Sequence, residues 1–277
     1  MTRHTRGAAL LLVMWLILLL SGLVAGYAMT ARIESLQGNG LARSVAAGQV
    51  ARAGIEIAVS RLVQADPALR WPADGRSNAL QFEGAQIEVE IRDETGKIDL
   101  NAAAPDLLAG LFTGLGESRG AATRLAGAIV DWRDDDTLTQ PAGGAEDADY
   151  ASAGLAWGAK DAPFETVAEV EQVLGMRPGL YAAAAPYLTV YSGSANPDRN
   201  FADAAVLAAM GAERAEPLPG GALGGGGGGS GTYSIRSRAR LPDGRSAQLS
   251  VILRAGGNGL PGSTYTPLRW QDGADSP

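Results

Sequence analysis

The segment GAALLLVMWLILLLSGLVAGYAMTA, residues 7–31, decides the fold of this 277-residue chain. Its 25 residues carry no charge, and as a helix they would extend about 37 Å, enough to cross the roughly 30 Å hydrocarbon core of a bilayer. Arg3, His4 and Arg6 precede the segment, so the positive-inside rule places residues 1–6 in the cytoplasm and the rest of the chain outside. A cleaved secretory signal and a plain membrane anchor are the alternative interpretations.

The helical pattern continues beyond this apolar segment. Ile55, Val59 and Leu62 recur at the spacing of one helix face, whereas Arg52 and Arg61 occupy other faces. We therefore expect a long helix from residue 8 to about residue 66. Its first half would lie in lipid, and its second half would pack by its apolar face on a globular domain.

The rest of the chain has strand patterns at both ends and helical patterns in the middle. Residues 80–93 alternate between apolar and polar side chains, and Pro242-Asp243-Gly244 separates two further strand-like segments, 233–241 and 246–254, as in a β-hairpin. A last strand is expected at 264–271. Helices are expected at 101–112, 121–132, 166–174, 179–186 and 203–210. The sequence thus predicts an α+β fold in which a large helical insertion interrupts an antiparallel sheet.

Composition restricts the chemistry that the chain can perform. It has no Cys, and its only His is His4, which lies ahead of the apolar segment. Thiolate chemistry, disulfides, a Ser-His-Asp triad and His or Cys metal sites are therefore excluded from the body of the protein. The net charge of −7 also argues against a body that wraps nucleic acid. Oxygen ligands for a hard cation fit this inventory better than catalysis.

An acidic stretch at 131–149 is the strongest candidate for such a site. It holds seven carboxylates against one basic residue, Arg133. Like charges at this density repel one another unless the loop is extended in solvent or binds a cation. Ca²⁺ suits a flexible loop better than Mg²⁺, because it accepts six to eight oxygens in variable geometry. A solvated acidic loop is the alternative.

Several motifs together resemble a known family. A short basic leader ends at Gly7 against the apolar segment, as in type IV prepilins, and Leu12 occupies the fifth mature position, where most pilin-like proteins have Glu. In the body, further short motifs follow in order. They are Lys97-Ile98-Asp99-Leu100-Asn101, Asp131-Trp132-Arg133-Asp134-Asp135-Asp136, Gly144-Ala145-Glu146 with Tyr150, Pro163-Phe164 with Glu169-Val170, and Asn200 before a helix that repeats the one after Asn101. Over nearly its whole length the chain resembles type II secretion system protein K, a minor pseudopilin family.

The resemblance implies a fold, ligands and partners. The fold is a pilin-like long helix on an antiparallel sheet with an α-helical insertion. Calcium ligation is carried over onto five residues: Asp131, Asp134, Asp136, Glu146 and Asp149. Prepilin peptidase would cut after Gly7 and methylate Ala8, and Leu12 would mark the subunit at the pseudopilus tip. The implied partners are the I-type and J-type minor pseudopilins and the major pseudopilin, at the bacterial inner membrane with the C-terminal domain in the periplasm.

Six segments follow from this interpretation. The expected order is a leader (1–7), a transmembrane helix half (8–31), an amphipathic helix with the first strands (32–96), the α-helical insertion with the calcium loop (97–212), a Gly-rich linker (213–231) and C-terminal strands (232–277).

Two other classes of function have weaker motifs. Residues 100–103 with Leu111 and Gly114-Leu115-Gly116 resemble a helix-hairpin-helix, which predicts a membrane-anchored periplasmic DNA-binding protein as the alternative. The surrounding insertion is acidic, however, and only Arg119 and Arg124 are basic nearby. An enzyme would have to work with carboxylates alone, and the clustered Asp residues do not separate into acid and base roles. We expect no enzymatic activity.

Overall fold

A single helix forms the N-terminal fifth of the molecule. The structure is a computed structural model that describes residues 5–64, 66, 68–212, 231–256 and 264–273. Helix α1 runs without interruption over Thr5–Leu62, 58 residues or about 87 Å. Its part within Leu10–Glu34 is exposed, apolar and long enough to span a membrane. Ala51, Ile55 and Val59 are buried, which confirms the predicted apolar face.

Helix α1 packs on one face of a five-stranded antiparallel sheet. The strands are β1 (Asp74–Phe82), β2 (Ala85–Asp93), β5 (Thr232–Arg240), β6 (Ser246–Ala255) and β7 (Tyr265–Asp272), in the spatial order β1-β2-β5-β6-β7. Alternate residues of β2, Ile87, Val89 and Ile91, point to the helix and form one core with Ile235 of β5 and Val251 of β6. The opposite face of the sheet carries the polar residues of the same strands.

A tight turn joins β1 to β2. The turn that the sequence favours at Asp74-Gly75, after the long helix, is instead the start of β1. The chain reverses between the two strands at Glu83-Gly84, where both residues have positive φ, 49° and 80°. Two consecutive left-handed residues make the tight hairpin turn whose twist matches that of the flanking strands.

The helical insertion lies between β2 and β5, which are hydrogen-bonded neighbours in the sheet. It contains α2 (Pro105–Gly114), α3 (Arg119–Arg133), α4 (Asp147–Ser152), α5 (Pro178–Ala184) and α6 (Ala204–Ala209), with 3-10 turns at Glu94–Gly96, Val167–Gln172 and Ala185–Tyr187. These elements surround a second hydrophobic core. Two short strands, β3 (Ile98–Asp99) and β4 (Leu188–Thr189), pair in parallel and join the start of the insertion to its later part.

A buried ionic network fixes the base of the insertion. Glu94 is fully buried and accepts hydrogen bonds from Lys97 Nζ, at 2.6 Å, and from the Thr189 hydroxyl. Asp99 is also buried and accepts from the Gly193 N–H at 2.7 Å and the Asn101 N–H at 2.8 Å. Because every one of these charged oxygens has a partner, the network specifies how the chain leaves the sheet and returns.

The α+β class and the interrupted sheet predicted from the sequence are confirmed. Several predicted helices prove shorter, and 166–174 forms a 3-10 turn rather than an α-helix. Short strands β3 and β4 and helix α4 have no counterpart in the prediction, because two-residue pairs and one-turn helices leave no periodic pattern. The Gly-rich linker lies outside the described residues except for Gly231.

Candidate metal centre

Three carboxylates converge where α3 ends and α4 begins. Asp131 lies in the last turn of α3, Asp134 is the residue that ends this helix, and Glu146 is the residue before α4. One oxygen from each side chain lies within 4.8 Å of the others. Asp131 is fully buried and Glu146 is only 8% exposed, so this is a site inside the insertion rather than a solvated loop.

The backbone of residues 140–145 holds Asp131 in place. The N–H of Ala145 donates to Oδ2 at 2.7 Å, and the N–H of Gln140 donates to Oδ1 at 3.2 Å. Gly144 makes this possible, because a Cβ at that position would overlap the Asp131 carboxylate. A Cβ on Gly127 of α3 would likewise overlap the Gly143 carbonyl oxygen, so the loop packs directly on the helix backbone.

The other two carboxylates keep oxygens without protein donors. Among the described residues, neither Asp134 Oδ1 nor Glu146 Oε1 has a hydrogen-bond partner, although both atoms are buried. Burial and the neighbouring carboxylates raise the pKa of Glu146 to about 7. Burial, more than repulsion, also raises the pKa values of Asp131 and Asp134. Buried, orphaned carboxylate oxygens facing one another are the donor set that a hard cation prefers, so the residues present fit Ca²⁺.

Arg133 does not neutralise this cluster. Its guanidinium donates to the carbonyl oxygens of Leu100 and Ala103, the latter at 2.8 Å, and thereby ties α3 to the start of the insertion. Burial lowers its pKa, while Asp99 and Asp134 act in the opposite direction. The one basic residue of the acidic stretch therefore serves a structural purpose, and its attraction to Asp134 offsets only part of the repulsion among the three carboxylates.

Aromatic side chains, two of them close to these carboxylates in the sequence, pack together in the core of the insertion, and we call them the aromatic floor. The ring of Trp132 stacks on Phe164 with centroids 6.2 Å apart and lies 6.0 Å from the ring of Tyr150. Tyr150 is fully buried, and its hydroxyl accepts from the Leu174 N–H at 3.1 Å. The side chain of Asn101 makes two hydrogen bonds to the backbone of Phe164, at 2.7 and 2.9 Å. The motif residues near the acidic stretch thus build the rigid support of the site.

Asp136 and Asp149, which the sequence also predicts as ligands, lie outside the three-carboxylate cluster. Asp136 is exposed, and its Oδ1 accepts from the Leu138 N–H at 2.7 Å. Asp149 accepts from the Glu146 N–H at 3.0 Å and so caps α4. The predicted acidic loop is in part helix, since Asp131 belongs to α3 and Asp149 to α4. Asp161, which sequence reasoning missed, adds repulsion that raises the pKa values of Asp134 and Glu146.

The predicted processing and anchor residues lie at the other end of the molecule. The backbone of Gly7 and Ala8 belongs to the first turns of α1, and Leu12 is 68% exposed on this helix. The apolar part of α1 packs against no other part of the described chain. It fits a single-pass membrane anchor.

Residues 78–193, which include the three carboxylates, match the family model of type II secretion system protein K. This match supports the interpretation of the chain as a type II secretion protein K. A solved chain of the GspK-GspI-GspJ complex from the type 2 secretion system of enterotoxigenic Escherichia coli has the same fold. The two chains share 18% sequence identity with a TM-score of 0.59, over 88% of this chain and 99% of the other. A search of curated protein sequences gives no match.

The family match and the shared fold support the role of a minor pseudopilin of the type II secretion system, a structural component rather than a known enzyme family. Nothing in these comparisons supports the DNA-binding alternative. The geometry around its glycine hairpin is also unsuited to phosphate, because Glu117 follows the loop and pairs with Arg177. The glycines of that motif turn the chain between α2 and α3, with Gly116 at a φ of 101°.

Proposed function

We propose that this minor pseudopilin occupies the tip of the pseudopilus, in a complex with the I-type and J-type minor pseudopilins, and supports export of folded proteins across the outer membrane. The solved relative is part of a GspK-GspI-GspJ complex, and this chain shares its fold. Two features of the chain favour a terminal position. The insertion between β2 and β5 adds bulk that a fibre interior must accommodate. Leu12 also has no carboxylate with which to pair a neighbour's N-terminus.

The proposal places the chain in the bacterial inner membrane with the sheet and insertion in the periplasm. Prepilin peptidase cuts after Gly7 and methylates Ala8, and α1 then joins the helices of the major pseudopilin. Support comes from the basic residues before the apolar segment and from its 25-residue span at Leu10–Glu34. The intact mass of the protein from membranes is expected to fit a chain that starts at methylated Ala8. A mass that includes Met1, or a start near Tyr27, would contradict the processing step.

The proposal also assigns calcium to the insertion, with Asp131, Asp134 and Glu146 as the protein ligands. Bound Ca²⁺ supplies positive charge and accepts the orphaned oxygens of Asp134 and Glu146 as ligands. The backbone N–H groups of Ala145 and Gln140 orient the Asp131 carboxylate. The aromatic floor holds the end of α3 against the start of α4. A filled site joins α3 to α4 and makes the insertion rigid for contact with its partners. The proposal includes no catalytic step.

The match over 78–193 is the single observation that carries the tip proposal, because it covers the insertion that makes this subunit bulky. The test is coexpression of the full chain with the I-type and J-type minor pseudopilins of the same bacterium, followed by detergent extraction and affinity purification. We expect the three proteins to elute together from a sizing column. The matched control replaces the I-type and J-type proteins with the major pseudopilin alone. Elution of this chain apart from both minor pseudopilins would refute the assembly.

A further inference from the structure

The face of the sheet that points away from α1 concentrates positive charge. Strand register places alternate residues of β5, Arg236, Arg238 and Arg240, side by side on this face, and all three are exposed. Their neighbours in β2 and β6 show the same alternation, so the identity of every outward position is fixed by the pairing. We call this surface the arginine face.

Three more arginines join the arginine face from other strands. Arg92 of β2 pairs with Ser234, Arg254 of β6 with Thr232 and Arg269 of β7 with Ile252, and all of these positions point outward. Within the described strands, the pairing places three carboxylates on this face, Asp74, Glu88 and Glu90. This concentration is notable because the chain as a whole has a net charge of −7.

Internal partners offset only part of this charge. Arg236 lies 3.4 Å from Glu90, and Arg92 lies 2.5 Å from Asp203 of the insertion. Arg238 donates to the Gln248 amide oxygen, a neutral partner, at 2.8 and 3.2 Å, and lies opposite Glu88 in the strand pair without an ion pair to it in the described part of the chain. Arg240, Arg254 and Arg269 form no ion pair within the described part of the chain. The arginine face therefore retains donors that the fold does not use.

A cleft opens onto one end of the arginine face. It has a volume of about 580 Å³ and lies between the sheet and the insertion. Arg92, Arg236 and Arg269 lie on its sheet side, while Tyr181 and Pro186 lie on the insertion side. An extended chain can thus contact apolar and aromatic groups in the cleft and guanidinium groups along β5.

We propose that the arginine face and its cleft bind an acidic, extended segment of a partner protein. Alternate residues of a strand are about 6.8 Å apart, so the arginines of β5 have the same spacing as alternate side chains of a second extended chain. Guanidinium groups bind carboxylates through two parallel hydrogen bonds, which adds geometry to the charge attraction. This surface is separate from the three carboxylates of the insertion and does not depend on calcium.

Other polyanions fit the arginine face less well. Glu88 and Glu90 lie among the arginines and would repel the continuous phosphate backbone of a nucleic acid. The outward positions of β2, β5 and β6 carry no aromatic side chain on which bases could stack. They also offer Ile252 as the single large apolar group, which is too little to enter a lipid surface.

The test measures binding of a fluorescein-labelled peptide, Glu-Thr-Glu-Thr-Glu-Thr, to the full chain in a non-ionic detergent by fluorescence anisotropy. We expect saturable binding that weakens as NaCl is raised from 50 to 300 mM, because the contacts are exposed charge pairs. The double variant Arg238→Gln, Arg240→Gln is expected to lose at least tenfold in affinity. The matched control is Arg119→Gln, Arg199→Gln, which removes two exposed arginines of the insertion and should change affinity less than twofold.

Four further probes distinguish the possible occupants of the arginine face. The peptide Glu-Glu-Glu-Thr-Thr-Thr has the same charge in a different spacing and should bind more weakly, and Gln-Thr-Gln-Thr-Gln-Thr should not bind. A single-stranded oligo-dT or vesicles containing phosphatidylglycerol that bound as tightly as the acidic peptide would overturn the proposal. So would equal losses in the two double variants, or no peptide binding at 1 mM. Thermal melts of each variant confirm that the fold is intact.

Discussion

Replacing Glu146 by Gln tests the metal centre in both of its states. In the protein without calcium, burial and like charges raise the pKa of Glu146 to about 7 from an ordinary value of 4.5. Above pH 7 the ionised side chain therefore costs the folded state about 3 kcal/mol relative to the unfolded chain. Gln keeps the shape and removes the charge, so the variant should be more stable than the wild type in chelator.

The magnitude can be converted into a melting shift. A gain of up to about 3 kcal/mol corresponds to roughly 6–12 °C for a chain of this size. Calcium reverses the order at a concentration about one thousand times its dissociation constant, because it then stabilises the wild type by about 4.1 kcal/mol. The variant has lost one of three carboxylate ligands and should gain little from calcium. The variant is thus expected to melt at a higher temperature than the wild type in chelator and at a lower temperature in calcium.

The dependence on pH gives an independent check of the same reasoning. The folded state holds a proton on Glu146 that the unfolded chain has already lost between about pH 4.5 and 7. In chelator, the stability of the wild type should therefore fall as the pH rises through this window, and the fall should be smaller in Glu146→Gln. Calcium affinity should rise over the same window, because binding requires the ionised carboxylate.

Differential scanning calorimetry of the full chain in detergent, with EGTA or with 1 mM CaCl₂ at pH 5.5 and pH 8, measures all of these quantities. The control is Asp135→Asn, which removes the same charge from an exposed position in the same segment and should shift neither curve by more than about 1 °C. The reasoning is refuted if Glu146→Gln melts below the wild type in EGTA as well as in calcium, or if Asp135→Asn reproduces its behaviour.

Three other substitutions test the support of the site and the tip position. Gly144→Ala places a methyl group against the Asp131 carboxylate and should cost about 1–3 kcal/mol and weaken calcium binding, whereas Gly179→Ala, which has open space around it, should cost nothing measurable by urea unfolding. Arg133→Met leaves the carbonyls of Leu100 and Ala103 without their donor and should cost about 2–3 kcal/mol equally in calcium and in EGTA; a loss confined to calcium would assign Arg133 to the metal site. Leu12→Glu should not increase secretion of a reporter protein, and a clear increase would argue against a terminal position.

Much of the fold could be predicted because its signals are local. The uncharged segment, the alternation in 80–93 and the Pro-Asp-Gly turn each depend on neighbouring residues, and the corresponding elements are present in the structure. Helix ends were harder to predict. Asn101 and Asn200 precede helices and look like caps, yet Asn101 binds the backbone of Phe164 and Asn200 binds Asp198, because tertiary partners compete with local capping.

The candidate site shows the same limit. The density of carboxylates in 131–149 is visible in the sequence, but which of them converge depends on backbone geometry. Asp136 is taken up by a turn and Asp149 by a helix cap, whereas Asp161 approaches from a separate segment. The arginine face is similar, since the alternation in β5 is local but only strand register brings Arg92, Arg254 and Arg269 beside it.

The place of the insertion also bears on the order in which the chain can fold. Asp93 pairs with Tyr233, so the central strand pair closes a loop of about 140 residues. The pairing of Ile98 with Leu188 removes about 90 of these residues from the loop and lowers its closure cost by about 1 kcal/mol. If the insertion folds first, the ends of β2 and β5 are therefore joined by a shorter effective loop. The β3–β4 pair at the base of the insertion then favours the pairing of β2 with β5.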